Sequence, residues 1–138
     1  MKIYFAGAIR GGRGDQKLYL EIIALLRNYG EVLTEHIGDA DLSYAGEKGL
    51  SDKEIHDRDI TWLKSADVLV AEVTTPSLGV GYEIGKASEW QKPVLCLYRP
   101  SAGRLLSGML TGSRDVKVYE YQTTGELTKV LDDFFEEQ

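Results

Sequence analysis

The chain is poor in several residue types, and each shortage removes a class of function. Its 138 residues include one cysteine, Cys96, so no internal disulfide framework can form. Only His36, His56 and Cys96 are soft or borderline ligands, which argues against a structural zinc site. No apolar run approaches the roughly 18 residues that a bilayer-spanning helix requires. Positive charge is also short: 16 Lys and Arg against 22 Asp and Glu leave a net charge of −6. A general DNA or RNA binder needs a basic face to displace phosphate counterions, so nucleic acid is not an expected partner, and neither is a membrane. No signal-peptide pattern precedes Lys2–Ala6, which already reads as a strand, so the expectation is a cytoplasmic protein in a reducing compartment.

What remains is ordinary for a soluble globular protein, with 43% hydrophobic and 28% charged residues. The length suits one domain over residues 1–138, with a single core and no repeats, low-complexity tract or linker. The charge is uneven. Residues 1–17 carry +3, residues 18–114 carry −4 and residues 115–138 carry −5. The positive stretch is short and glycine-rich, which suits a small anion better than a polyanion.

Strand-like runs fall at Ile3–Ala6, Glu31–Thr34, Asp67–Val73, Pro93–Tyr98 and Val116–Tyr121. VLVAEV and PVLCLY are nearly continuous apolar runs, the pattern of parallel strands covered on both faces. Helical patterns separate them. Leu18, Ile22, Leu25, Leu26 and Tyr29 recur at helical spacing before Gly30. Ser51 with Glu54 predicts a capping box at a second helix, residues 79–91 a third, and Thr123 with Glu126 another capping box before a last helix. This alternation predicts an α/β fold: a doubly wound, five-stranded parallel sheet of flavodoxin-like or Rossmann-like order, with ligands at the carboxyl ends of the strands. Residues 37–50 make a loop long enough to be functional.

Two β-α turns could bind an anion. The first runs through Gly7, Ala8, Ile9, Arg10, Gly11, Gly12 and Arg13 before a helix opening near Asp15. Glycines let the backbone approach a ligand, the helix N-terminus favours negative charge, and arginine suits phosphate oxygens. The spacing matches neither the dinucleotide nor the Walker pattern, so a plain tight turn stays an alternative. The second turn, Thr74–Glu83, offers Ser77, Gly79 and Gly81 as a further cradle. Glu83 follows on an inward stripe with Val80, Ala87 and Trp90, either serving chemistry or complementing the helix dipole from the first turn. Asp59 interrupts the stripe of Ile55, Trp62, Leu63 and Ala66, and needs a hydrogen bond, a cation or a substrate there. Its neighbours Asp57 and Arg58 read as solvated. Two carboxylates in different environments can divide nucleophile and proton-transfer roles. Tyr4 reads as packing or as a site residue, His36 as a surface residue or a ligand contact, and His56 and Cys96 as structural. Ser107, Gly108 and Met109 sit on a short leucine-bearing helical piece, a satellite helix or a subunit contact.

YFAGAIRGGRGDQ, LTEH, HDRDITWLKSADVLVAEVTTPSLGVGYEIGKA and RPSAGRLLSGM, in that order and spacing, resemble the 2′-deoxynucleoside 5′-monophosphate N-glycosidases, relatives of the nucleoside 2-deoxyribosyltransferases. The resemblance spans nearly the whole chain. It implies a homodimer with shared active sites and a small-molecule deoxynucleotide substrate, cleaved to a free base and 2-deoxyribose 5-phosphate. Glu83 then matches the nucleophile that forms a covalent intermediate, Asp59 the carboxylate assisting proton transfer, and Tyr4 the tyrosine orienting the nucleophile. Gly7 to Arg13 match the loop around the nucleotide and His36 a histidine near the base. Ser77 and Gly79 match phosphate contacts, and Ser107 to Met109 a segment lent by the neighbouring subunit. Ala8 departs from the pattern, standing where close relatives have a serine, so phosphate binding leans on Arg10, Ser77 and Ser107. No metal or organic cofactor is needed for this chemistry. Rival readings are a nucleoside deoxyribosyltransferase, a CMP-type ribonucleotide hydrolase, and a nucleotide-sensing regulatory domain on the same fold.

Overall fold

The computed structural model describes residues 1–9, 15–34, 49–100 and 103–138. The chain runs β1 (Lys2–Ala6), α1 (Gln16–Leu26), β2 (Glu31–Val32), α2 (Asp52–Ser65), β3 (Val68–Glu72), α3 (Leu78–Glu89), β4 (Val94–Tyr98), α4 (Gly108–Thr111), β5 (Val116–Glu120), a 3₁₀ turn (Thr124–Glu126) and α5 (Leu127–Glu136). All strand pairs are parallel, in the order β2-β1-β3-β4-β5. This is the doubly wound sheet that the two apolar runs predict, with every residue of β3 and β4 buried.

Strand alternation sorts the side chains into two layers. Ile3, Phe5, Val68, Val70, Leu95 and Leu97 face one side and pack with Tyr19, Ile22, Ile23 and Leu26 of α1 and Leu127, Leu131 and Phe134 of α5. Tyr4, Ala6, Leu69, Ala71 and Cys96 face the other, against Leu63 of α2 and Val80, Ile84 and Ala87 of α3. Leu63 is the one fully buried side chain within α2, so this helix holds the sheet through a narrow contact and leaves a cleft beside α3.

Local chemistry sets the element ends. The Ser51–Glu54 capping box forms in both directions. Lys92 closes the other end of α2, its Nζ donating to the carbonyls of Ala66 at 2.6 Å and Lys64 at 3.0 Å. Two expectations change. β2 ends at Val32 instead of Thr34, because the Thr34 hydroxyl replaces a ladder rung: it accepts from the Phe5 N–H at 2.9 Å and donates to the Phe5 carbonyl. The second capping box is absent: Thr123 makes no side-chain cap, and the Glu126 carboxylate accepts from the Gln122 N–H at 3.2 Å. The long loop expected over 37–50 lies largely outside the described residues. No helix among the described residues is long and apolar enough to cross a membrane.

Gly30 joins α1 to β2 with no room for a side chain, since a Cβ there would lie 2.2 Å from the Met1 carbonyl oxygen. That oxygen accepts from the Glu31 N–H at 2.9 Å, so it cannot retreat without loosening the sheet edge. Gly85, by contrast, sits within α3 with open space around its missing Cβ. Gly30→Ala is expected to lower Tm by roughly 5–10 °C and Gly85→Ala to raise it by a few degrees, as helix propensity dictates, in matched thermal melts.

Candidate active site

The carboxyl ends of β1 and β3 and the facing sides of α2 and α3 enclose a cleft of about 680 Å³. Gly7, Ile9, His56, Asp59, Ser77, Gly79 and Glu83 are among its lining residues. Tyr4 interacts with both carboxylates, so sequence positions 4, 59 and 83 meet, brought together by three different elements on the same side of the sheet.

Tyr4 projects from β1 into the layer shared with α2 and α3 and is fully buried. Its hydroxyl donates a hydrogen bond to the Glu83 carboxylate. Burial, reinforced by the charges of Glu83 and Asp59, holds the phenol pKa far above its ordinary value, so Tyr4 stays a proton-bearing donor. Glu83 lies on the second turn of α3, past the first turn where the helix dipole acts most strongly. Burial dominates there and pushes its pKa up to about 7. The Tyr4 bond pulls the value down, and the Asp59 charge adds to the rise. The second oxygen, Oε2, is buried and makes no hydrogen bond. Glu83 is thus a carboxylate mostly withdrawn from water, bonded by Tyr4, at the wall of a cleft.

Asp59 has a partner the sequence reading placed in solvent. Arg58 directs Nε and Nη2 to Asp59 Oδ1 at 3.0 and 2.9 Å while its guanidinium covers the Trp62 ring at 4.6 Å. The pair is about three-quarters buried. Adjacent residues on a helix point apart, and the long Arg58 side chain closes the gap by folding back over Trp62. His56, read as structural, lines the cleft: Nδ1 is 3.0 Å from Asp57 Oδ1 and Nε2 3.3 Å from the Tyr82 hydroxyl.

The first β-α turn enters the cleft through backbone. A Cβ on Gly7 would lie 3.0 Å from the Tyr19 ring, so a side chain here would press on that ring. Ala8 is fully buried, and its N–H donates to the Tyr19 hydroxyl at 3.1 Å, directed away from the cleft. Ile9 lines the cleft. Arg10, Gly11, Gly12, Arg13 and His36 lie outside the described residues.

The second turn ends at Ser77, whose hydroxyl caps α3 by accepting from the Val80 N–H at 3.3 Å. Gly79 meets no protein atom nearer than the Ser77 hydroxyl, 3.8 Å from a Cβ built there, so packing does not demand glycine and the cleft floor stays open. Leu78, 96% exposed, forms a ridge between this cleft and a second one of about 630 Å³. Ser107 and Met109 line the second cleft, away from the carboxylates, and Gly108 lines neither.

Sequence reasoning also missed a buried ionic cluster at the ends of β3 and β4. Glu72, fully buried, accepts from the Thr74 N–H at 2.7 Å and from the Tyr121 hydroxyl. Arg99 pairs with Asp15 at 2.7 Å and approaches Glu72 at 3.7 Å. The available signal was an acid closing an otherwise apolar strand, VLVAE.

Comparison with known proteins agrees with this architecture. Residues 3–120 match the family model for nucleoside 2-deoxyribosyltransferases. The 5-hydroxymethyl-dUMP N-hydrolase of Rattus norvegicus is 53% identical over 138 residues, covering 97% of this chain and 84% of that protein. The Homo sapiens protein of the same name is 50% identical over 138 residues, covering 97% and 79%. Among solved structures, a Clostridium botulinum CMP N-glycosidase aligns with TM-score 0.69 at 21% identity, covering 97% of this chain and 99% of that one. A 2-deoxyribosyltransferase from Bacillus psychrosaccharolyticus aligns with TM-score 0.67 at 18% identity, covering 93% and 90%. These two share the fold. With a family model over most of its length and relatives identical at half of all positions, the chain belongs to the nucleoside 2-deoxyribosyltransferase family, as an enzyme acting on N-glycosyl bonds.

Proposed function

We propose that the protein hydrolyses the N-glycosidic bond of 2′-deoxynucleoside 5′-monophosphates, releasing the base and 2-deoxyribose 5-phosphate. One observation carries the reading: Glu83, mostly withdrawn from water and hydrogen-bonded by Tyr4, lines the cleft of a chain half identical to 5-hydroxymethyl-dUMP N-hydrolases. As the C1′–N bond breaks, positive charge builds on the sugar ring. A Glu83 carboxylate oxygen meets that charge and bonds to C1′, while the base leaves with the bonding electron pair and takes up a proton through Asp59. Water then adds to C1′, returning the electron pair to Glu83 and its own proton to the Asp59 side. Tyr4 aims Glu83 and keeps part of its charge in place. The Ser77–Gly79 turn at the N-terminus of α3 receives the 5′-phosphate, together with the glycine loop at Gly7 to Arg13.

The active form is a homodimer. Leu78, Leu105 and Met109 are 96%, 95% and 84% exposed around the second cleft, an apolar surface suited to a second copy. There, Ser107 to Met109 of one subunit reach the phosphate end of the other. The dimer is expected in light scattering, and Leu105→Asp is expected to give monomers with weakened nucleotide binding. A wild-type monomer with full activity removes the shared site.

Substrate class is tested by free-base release from 5-hydroxymethyl-dUMP, dGMP, dCMP and dTMP, with and without a second base added. Cleavage is expected on deoxynucleotides, roughly tenfold or more slower on CMP and on unphosphorylated nucleosides, with no product from the added base. Glu83→Gln is expected to lower kcat by about 10³-fold or more, and a variant as fast as wild type discards the mechanism.

The acid–base balance of Glu83 adds a signed test. As nucleophile it must be ionised, so kcat is expected to rise through pH 7, and in Tyr4→Phe, which loses the bond that lowers the Glu83 pKa, that limb moves to higher pH. Stability moves the opposite way. Glu83 has a folded-state pKa of about 7 against an ordinary 4.5, so the native state binds more protons in that window and loses stability as pH rises through it. Glu83→Gln is expected to raise Tm at pH 8 and leave it nearly unchanged at pH 4.5. An equal change at both pH values contradicts the assignment.

A further inference from the structure

Asp15 is the N-cap of α1, a position where aspartate ordinarily accepts from the first-turn N–H groups, yet its side chain makes no such bond. It turns to two other loops instead. Oδ1 pairs with Arg99 Nη2 at 2.7 Å, and Oδ2 accepts from the Thr75 hydroxyl at 3.4 Å. Arg99 stands one residue past β4, and its backbone N–H donates to the Thr74 hydroxyl at 3.0 Å. Behind it, Glu72 Oε1 accepts from the Thr74 N–H, and Glu72 Oε2 accepts from Tyr121, which follows β5. Arg99 Nε lies 3.7 Å from Glu72, too far for a hydrogen bond, and is buried without one. The guanidinium is therefore stretched between two carboxylates and commits its short contact to Asp15.

The bonds of Asp15 and Arg99 tie three β-α turns together. Asp15 closes the glycine turn after β1, Thr74 and Thr75 open the turn after β3, and Arg99 begins the turn after β4. Pro76 follows Thr75 with its backbone φ fixed by the ring, so the placement of Thr75 carries directly to Ser77, which lines both clefts. None of the four clasp residues Asp15, Glu72, Arg99 and Tyr121 lines the carboxylate cleft.

We propose that Asp15 and Arg99, braced by Glu72 and Thr75, are positioning residues that set the spacing between the first and second β-α turns and thereby the enzyme's preference for a 5′-phosphorylated substrate. The inference rests on the reading under Proposed function, in which those two turns together receive the phosphate. The clasp acts on the phosphate end while Glu83 and Tyr4 keep their own contact.

The test compares kcat/KM on a deoxynucleoside 5′-monophosphate with kcat/KM on the same unphosphorylated deoxynucleoside, for wild type, Asp15→Asn, Thr75→Val, Arg99→Lys, Arg99→Gln and the Asp15→Asn/Arg99→Gln double variant. The ratio is expected to fall at least tenfold in Asp15→Asn and Arg99→Gln, through KM for the nucleotide. Thr75→Val falls less, Arg99→Lys recovers part of the ratio, and the double variant is no worse than Arg99→Gln alone. A structural defect lowers both activities together and leaves the ratio unchanged. An unchanged ratio in variants that melt cooperatively, or losses that multiply in the double variant, overturns the clasp while leaving the proposed function standing. A wild type that ignores the phosphate refutes the functional reading, and the clasp's role falls with it.

Discussion

The site depends on one buried contact, the hydroxyl of Tyr4 against the carboxylate of Glu83. A carboxylate taken out of water loses solvation that no single neutral donor restores, so Glu83 sits close to the balance between its charged and neutral forms. The Tyr4 bond keeps that balance within reach of neutral pH. Placing the partner on β1, an inner strand beside the central β3, ties Glu83 to the buried sheet rather than to a loop.

The remainder of the arrangement follows from having both faces of the sheet covered. Polar groups cannot be housed within β3 or β4, so they gather where those strands end. Two separate assemblies share that edge. One gathers Tyr4, Glu83 and Asp59 beside the cleft. The other is densely bonded and faces the protein: Glu72, Tyr121, Arg99 and Asp15.

The fold was readable in the sequence because VLVAE and VLCLY admit few interpretations, and because helical stripes between them fix the order of layers. Asp59 and Glu83 were readable because each interrupts an apolar stripe. Their partners were not. Arg58 adjoins Asp59 on the helix and reaches it only by lying across Trp62, a side-chain path no periodicity records. Arg99 and Asp15 are 84 positions apart and meet because parallel crossovers bring successive strand ends to one edge. Tyr4 was ambiguous because in a strand buried on both faces alternation does not say which side holds the site. The helix-dipole argument for Glu83 failed because α3 starts at Leu78, which places the residue a turn too deep.

The capping box at Ser51 has a consequence for how such an enzyme can change. Because Ser51 and Glu54 close the start of α2 by themselves, the helix begins at the same residue whatever precedes it. Asp59 lies two turns further on, and its bearing toward Glu83 is fixed by helical geometry counted from that start. The long stretch between β2 and α2 can then gain, lose or exchange residues without re-aiming the carboxylate.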